Sequence, residues 1–266
     1  MDKPLEVELY RQSLWSNSER TQTHRVLQYK LLRKYKDVDL DLWDVEDAFG
    51  FLATRNSIHT QYNFIAVFLH FHPEWRGDMQ PYIDELVSAR FDRTIQRNKE
   101  QFTWLPRKAD LVRHENELFD TGQWKKFIIS YLLSNTYCRS QDVCAWVKDS
   151  HQMLGYENYL VRHQTHVEFI RNKYKTVKTY GPKKCTIHDQ RFRDAVDKLA
   201  SNEKIAFHTN EVQAATYKRI GEGGHFKVCV LDVCESGESV LSRLSYMSRS
   251  RGTNFETMVL NYNLQI

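Results

Sequence analysis

The stretch that decides how this chain is read is Ser248-Arg249-Ser250-Arg251-Gly252-Thr253-Asn254-Phe255-Glu256-Thr257-Met258-Val259-Leu260-Asn261-Tyr262. Residues 240–247 before it carry apolar side chains at helical spacing. Gly252 then supplies a turn, because glycine adopts the left-handed backbone that ends helices. Residues 254–262 read as a second helix, closed by Tyr262 four residues before Ile266.

Working backwards, the same period predicts helices over 225–234, 210–219 and 191–199. Before them the pattern changes. Residues 159–161, 167–174 and 185–187 read as strands, and Tyr180-Gly181-Pro182 breaks the chain between the last two. Residues 124–137 form an apolar helix, and 139–147 continues or follows it. Arg139 and Asp142 then sit three apart on a helix.

The first hundred residues are expected to be helical. Val26, Leu27, Leu31 and Leu32 mark a helix over 23–35, and Val45, Ala48, Phe49 and Leu52 one over 43–52. Ser57 caps an apolar helix that Pro73 and Gly77 end, and a long helix follows with Ile83, Leu86, Val87, Phe91 and Ile95 on one face. Phe102-Thr103-Trp104-Leu105-Pro106 interrupts the pattern, which places a boundary between a helical domain, 1–103, and a second domain, 104–266. The fold class expected is mainly α with a small antiparallel β-sheet.

Composition narrows the function classes. With 266 residues, 41% hydrophobic and 27% charged, the chain suits one large or two modest globular domains. No apolar run approaches the length that spans a bilayer, so no membrane association is expected. The first residues lack the basic start and apolar core of a secretory leader. Five cysteines with no CxxC pair suit reduced thiols in an intracellular protein. His70 and His72, and His163 and His166, are close pairs without further ligands near them in sequence. Neither a metal nor a cofactor is expected. Gly221-Glu222-Gly223-Gly224 has no Lys-Ser/Thr after it and is not a phosphate loop.

The net charge of +4 is uneven. Residues 1–100 are net −2 and the remainder net +6. The densest basic stretch holds Arg171, Lys173, Lys175, Lys178, Lys183, Lys184, Arg191 and Arg193 with one acid, Asp189. Such a stretch suits a phosphate backbone, and equally a solvated hairpin.

A tyrosine late in a basic domain suggests phosphodiester chemistry. Covalent strand cleavage needs a nucleophile, positive charge on the phosphate and a proton donor for the departing oxygen. Arginine clamps two phosphate oxygens at once. A tyrosine hydroxyl, with a pKa near ~10, needs that positive field in order to attack.

In this order the motifs resemble the tyrosine recombinase (integrase) family, in particular the recombinase-like proteins of large eukaryotic DNA viruses and Crypton-type elements. The resemblance rests on Arg139-Ser140-Gln141-Asp142 after an apolar helix, on Tyr174-Lys175-Thr176-Val177-Lys178-Thr179-Tyr180-Gly181, and on Gly252 in register with Tyr262. It implies an N-terminal core-binding domain that clamps DNA and a catalytic domain in which Tyr262 forms a 3′-phosphotyrosine. It implies Arg139 as phosphate clamp oriented by Asp142, Lys175 or Lys178 on a hairpin as the acid, and His225, Lys227 or Arg251 as further support. It also implies double-stranded DNA as partner, a homo-oligomer assembled on it, and a location in the nucleus or wherever viral or mobile-element DNA lies. Lys173, Lys183, Lys184 and Arg249 are expected DNA contacts. Two positions depart from the family pattern: Val228 stands where a second arginine is usual, and Thr253 where a histidine or tryptophan is usual. A DNA-binding protein that does not cut, and a helical viral structural or RNA-binding protein, are the alternatives.

Overall fold

A computed structural model describes residues 4–17, 19–237 and 239–262. The chain divides into two units, Met1–Gln96 and Arg97–Ile266.

The first unit is helical: α1 (Pro4–Ser13), α2 (Glu19–Tyr35), α3 (Val45–Ala53), α4 (Ile58–Phe71) and most of α5 (Arg76–Phe102). Local chemistry sets the helix starts. Asp44 and Asp47 form a reciprocal capping box, and Ser57 Oγ accepts the Thr60 N–H at 3.4 Å. Phe51, Phe64, Phe68 and Trp43 pack edge-on and tilted at the centre of the core, with Leu32, Leu52 and Met79 around them. Pro73 opens a 3₁₀ turn, but Gly77 does not interrupt the chain: it lies inside α5, as does Pro81. Leu86 is buried, whereas Val87 and Phe91 are exposed, so the apolar face read along this helix is only partly covered within the unit.

The second unit continues with α6 (Lys108–Asp120), α7 (Trp124–Thr136), β1 (Trp146–Asp149), β2 (Tyr159–Arg162), β3 (Val167–Arg171), α8 (Val177–Tyr180) and β4 (Lys183–Ile187). It ends with α9 (Gln190–Asp197), α10 (Thr209–Ala214), α11 (Gly221–Ser236), α12 (Val240–Arg251) and α13 (Phe255–Tyr262). The fold is therefore mainly helical with one small sheet. Strand order is β1-β2-β3-β4, with β2, β3 and β4 antiparallel in turn. The first strand, β1, falls where the sequence reading put helix, and it runs parallel to β2, which makes the sheet mixed. Its free edge is held by the loop over 202–205, through Val147 N–H to Glu203 O and Asn202 N–H to Val147 O.

Alternation along β3 sorts its residues: Val167, Phe169 and Arg171 point into the unit, Glu168 and Ile170 away from it. Phe169 packs with Ile128, Leu132, Leu160, Phe192 and Val196 in the main core. A smaller core joins the last three helices through Phe226, Cys229, Val230, Leu244, Met247 and Met258.

Candidate functional site

The segment after α7 is not a helix. Tyr137 takes a left-handed conformation (φ 55°) and stops α7, and the chain enters a turn. Asp142 holds that turn: its carboxylate accepts the Arg139 N–H at 3.1 Å, while its own N–H donates to Arg139 O at 2.8 Å. A short acidic side chain that bonds nearby backbone competes with helix formation. Arg139 and Asp142 thus belong to a turn and not to a helix face.

Asp142 is fully buried and pairs with Arg171 Nη1 at 3.4 Å. Arg171 arrives from the inward face of β3 and is itself buried, over the rings of Phe169 and Tyr174. Burial pushes the Asp142 carboxyl up, against the Arg139 N–H bond and the Arg171 charge that favour its ionised form. Arg171, counted from sequence in the dense basic stretch, is therefore the internal partner of the turn that carries Arg139.

Lys183 stands directly across the ladder from Arg171. Its Nζ donates to the carbonyls of Arg249 and, at 3.4 Å, Ser250, where α12 ends. Partial burial, then the nearby Arg171 and Arg139 charges, lower its pKa to about 8, with Asp142 opposing. Gly252 (φ 69°) ends α12, and its carbonyl accepts from Thr176 Oγ1 at 2.8 Å. A Cβ there would lie 2.6 Å from Thr176 Oγ1 and 3.0 Å from the Tyr174 ring, so the close approach requires glycine. The turn that feeds α13 is in this way seated on the segment between β3 and β4. Beside it, Ser140 donates from N–H and Oγ to Glu222 Oε2, and Glu222 pairs with Arg251, which lies over the Phe226 ring.

The other sequence-assigned residues are placed as follows. Lys175 lies in a turn and Lys178 in α8, so neither is on a strand. Lys175 lines an open cleft of about 590 Å³ with Gln141, Asn158, Lys173, Tyr174 and Lys204. Lys173 pairs with Glu157 at 2.9 Å and Lys184 with Glu168 at 2.5 Å. Arg249 is exposed, and the Thr253 N–H donates to Ser248 O. Lys227 is buried and donates to Asn98 and Gln101, and Val228 is buried. The backbone of Tyr262 ends α13, while its side chain lies outside the described residues.

His225 is fully buried, and its hydrogen bonding runs to α7 and not to Arg139 or Lys183. Its Nδ1 lies 3.4 Å from Ser134 Oγ, which donates to Glu115 at 2.6 Å. Burial, then the Lys108 charge, push its pKa down to about 3. The unfolded chain binds this proton near pH ~6.5. Between these values the unfolded state holds more protons, so stability falls as pH drops from about 6.5 towards 3. His225→Asn is expected to flatten the dependence of Tm on pH in that window. Parallel curves for the two proteins would remove His225 as the cause.

Sequence reading missed three members of this cluster: the buried role of Arg171, the position of Lys183 against α12, and Glu222 as the acceptor joining Ser140 to Arg251. The Val167-Phe169-Arg171 alternation was the available signal, since it turns Arg171 inward and, through the strand register, brings Lys183 beside it.

No family model matches the sequence, and no curated protein matches it. Among solved structures the chain is similar to the crystal structure of XerA recombinase, with a TM-score of 0.38 and 9% identity, covering 97% of this chain and 93% of that one.

Proposed function

We propose that the protein binds duplex DNA and breaks and rejoins it in the manner of a tyrosine recombinase. The observation that carries this reading is the seating of the Gly252 turn against Thr176, Tyr174 and Lys183, which starts the Tyr262 helix at a cluster of three cations, Arg139, Arg171 and Lys183. In this reading Arg139 holds a backbone phosphate, and Lys175 adds charge from the cleft that Gln141 also lines. The Tyr262 oxygen attacks phosphorus as its phenolic proton leaves to solvent, and the bond to the 5′-oxygen breaks. Lys183 gives that oxygen its proton, a task suited to an ammonium titrating near pH 8. The 5′-hydroxyl of a second DNA end reverses the step, so no external energy source is consumed. A homo-oligomer on DNA brings the two ends together.

A second reading, DNA binding without cleavage, is favoured by Arg251, whose charge is taken up by Glu222, and by the buried, neutral His225. Both readings share the DNA contact, and salt dependence tests it. The observed constant for duplex binding is expected to fall steeply with salt, because each neutralised phosphate releases counterions and adds about 0.9 to the slope of log K against log salt. Arg139→Ala and Lys183→Ala should each reduce that slope by about one, with similar loss on unrelated sequences. Binding that ignores salt, or that prefers single-stranded RNA, contradicts the proposal.

A further inference from the structure

The β2–β3 hairpin ends in a two-residue turn, Gln164-Thr165, closed by His163 N–H to His166 O at 2.9 Å. His163 and His166 therefore face each other across the hairpin, and their rings stack 4.4 Å apart. Glu168 follows His166 by two residues, which in a strand means the same face. The β3–β4 register pairs Val167 with Ile187, so the next position sets His188 opposite His166, with ring centroids 5.5 Å apart. Three strand ends thus deliver three imidazoles and a carboxylate to one outward corner of the sheet. Sequence reading took up only the His163/His166 pair: Glu168 joins it along the same face of β3, and His188 through the β3–β4 pairing.

We propose that His163, His166 and Glu168 form a zinc site at this corner, with His188 placed to close the fourth position. Among the described residues, these three are the group whose ligand atoms come within 4.8 Å of one another. His163 Nε2 is shielded from solvent and is directed at Glu168 Oε2, 3.2 Å away. An imidazole nitrogen and a carboxylate oxygen held that close are both zinc ligands, and one cation can bind the two together. His166 is oriented for the same purpose. Its Nδ1 lies 3.2 Å from Thr165 Oγ1, and its Nε2 turns towards Glu168 Oε1 at 3.7 Å. A hydrogen bond on one ring nitrogen fixes the tautomer and frees the other as ligand. Bonds of about 2.0–2.1 Å in a tetrahedral site bring ligand atoms to about 3.4 Å, so closure takes only side-chain rotation at a hairpin tip. Imidazole with one carboxylate and no thiolate selects zinc and its neighbours over magnesium or calcium. Lys184, paired with Glu168 at 2.5 Å, is the cation that zinc displaces. Zinc would tie the hairpin to β4, the strand whose other end carries Lys183. The proposal does not depend on DNA binding.

The test is calorimetric titration of the metal-free full chain with Zn²⁺, with Co²⁺ absorption as a second readout. One zinc per chain is expected, with a cobalt spectrum of tetrahedral intensity and a rise in Tm. His163→Ala, His166→Ala and Glu168→Ala should each weaken zinc by more than the roughly 10–100-fold that an outer-shell partner costs. His188→Ala should weaken it by about tenfold, and His151→Ala, at an exposed histidine elsewhere, should leave it unchanged. The variants lie at a surface turn, and circular dichroism reports whether each remains folded. Absence of stoichiometric zinc, or zinc bound equally well by His163→Ala and His166→Ala, overturns the proposal.

Discussion

Asp142→Ala is expected to destabilise the second unit by about 3–5 kcal/mol, the loss usual when one partner of a buried ion pair is removed. Arg171 is 3% exposed, and its charge would be left in the interior without the Asp142 carboxylate. The same change removes the acceptor of the Arg139 N–H and frees the turn that α7 runs into. Asp142→Asn keeps that acceptor and loses only the charge, so its effect should be smaller. Replacing both partners by apolar residues of similar size should recover much of the loss, since an intact buried pair is itself worth little. Urea unfolding provides the measurement: the midpoint should fall with the m-value unchanged. A loss under about 1 kcal/mol for Asp142→Ala would mean that solvent reaches Arg171 and that the turn has another anchor.

Most helices were legible because their signals are local, although α6 and α8 were not read. Ser57 caps α4, Pro73 closes it, and Gly252 parts α12 from α13, each by chemistry within one turn of chain. Strand β3 was legible as well, since the buried Val167 and Phe169 alternate with Glu168 and Ile170. Strand β1 was not. It has four residues, its partners are β2 and the loop near 203, and nothing in Trp146-Val147-Lys148-Asp149 separates a short strand from the end of a helix. The Arg139 turn was hidden for a related reason: Asp142 acts through a backbone hydrogen bond that helical spacing does not reveal.

At the candidate site, the Arg139 turn, the segment between β3 and β4 and the Gly252 turn named from sequence lie together in the structure, with side-chain environments that charge counting did not reveal. Counting charges treated Arg171, Lys175, Lys178 and Lys183 alike. Burial separates them. Arg171 is an internal partner, Lys183 is half-buried against α12, and Lys175 and Lys178 are exposed between β3 and β4. Val87 and Phe91 show the same limit from the apolar side, because periodicity says which residues share a face and not whether that face is covered.

Covalent trapping tests most directly the proposed attack of Tyr262 on DNA held by Arg139. The substrate is a duplex bearing a site that the protein itself selects from a random pool, nicked so that the released fragment diffuses away and the reverse reaction is lost. A protein–DNA adduct that survives denaturant and maps to Tyr262 is expected. Tyr262→Phe should abolish it with binding nearly unchanged, because one hydroxyl is lost. Arg139→Ala should cut the yield rate by roughly 100- to 1,000-fold, far more than it cuts affinity, since its contribution belongs to the transition state. Tight binding to the selected site with no adduct at Tyr262 would contradict the claim and leave a protein that holds DNA without cutting it.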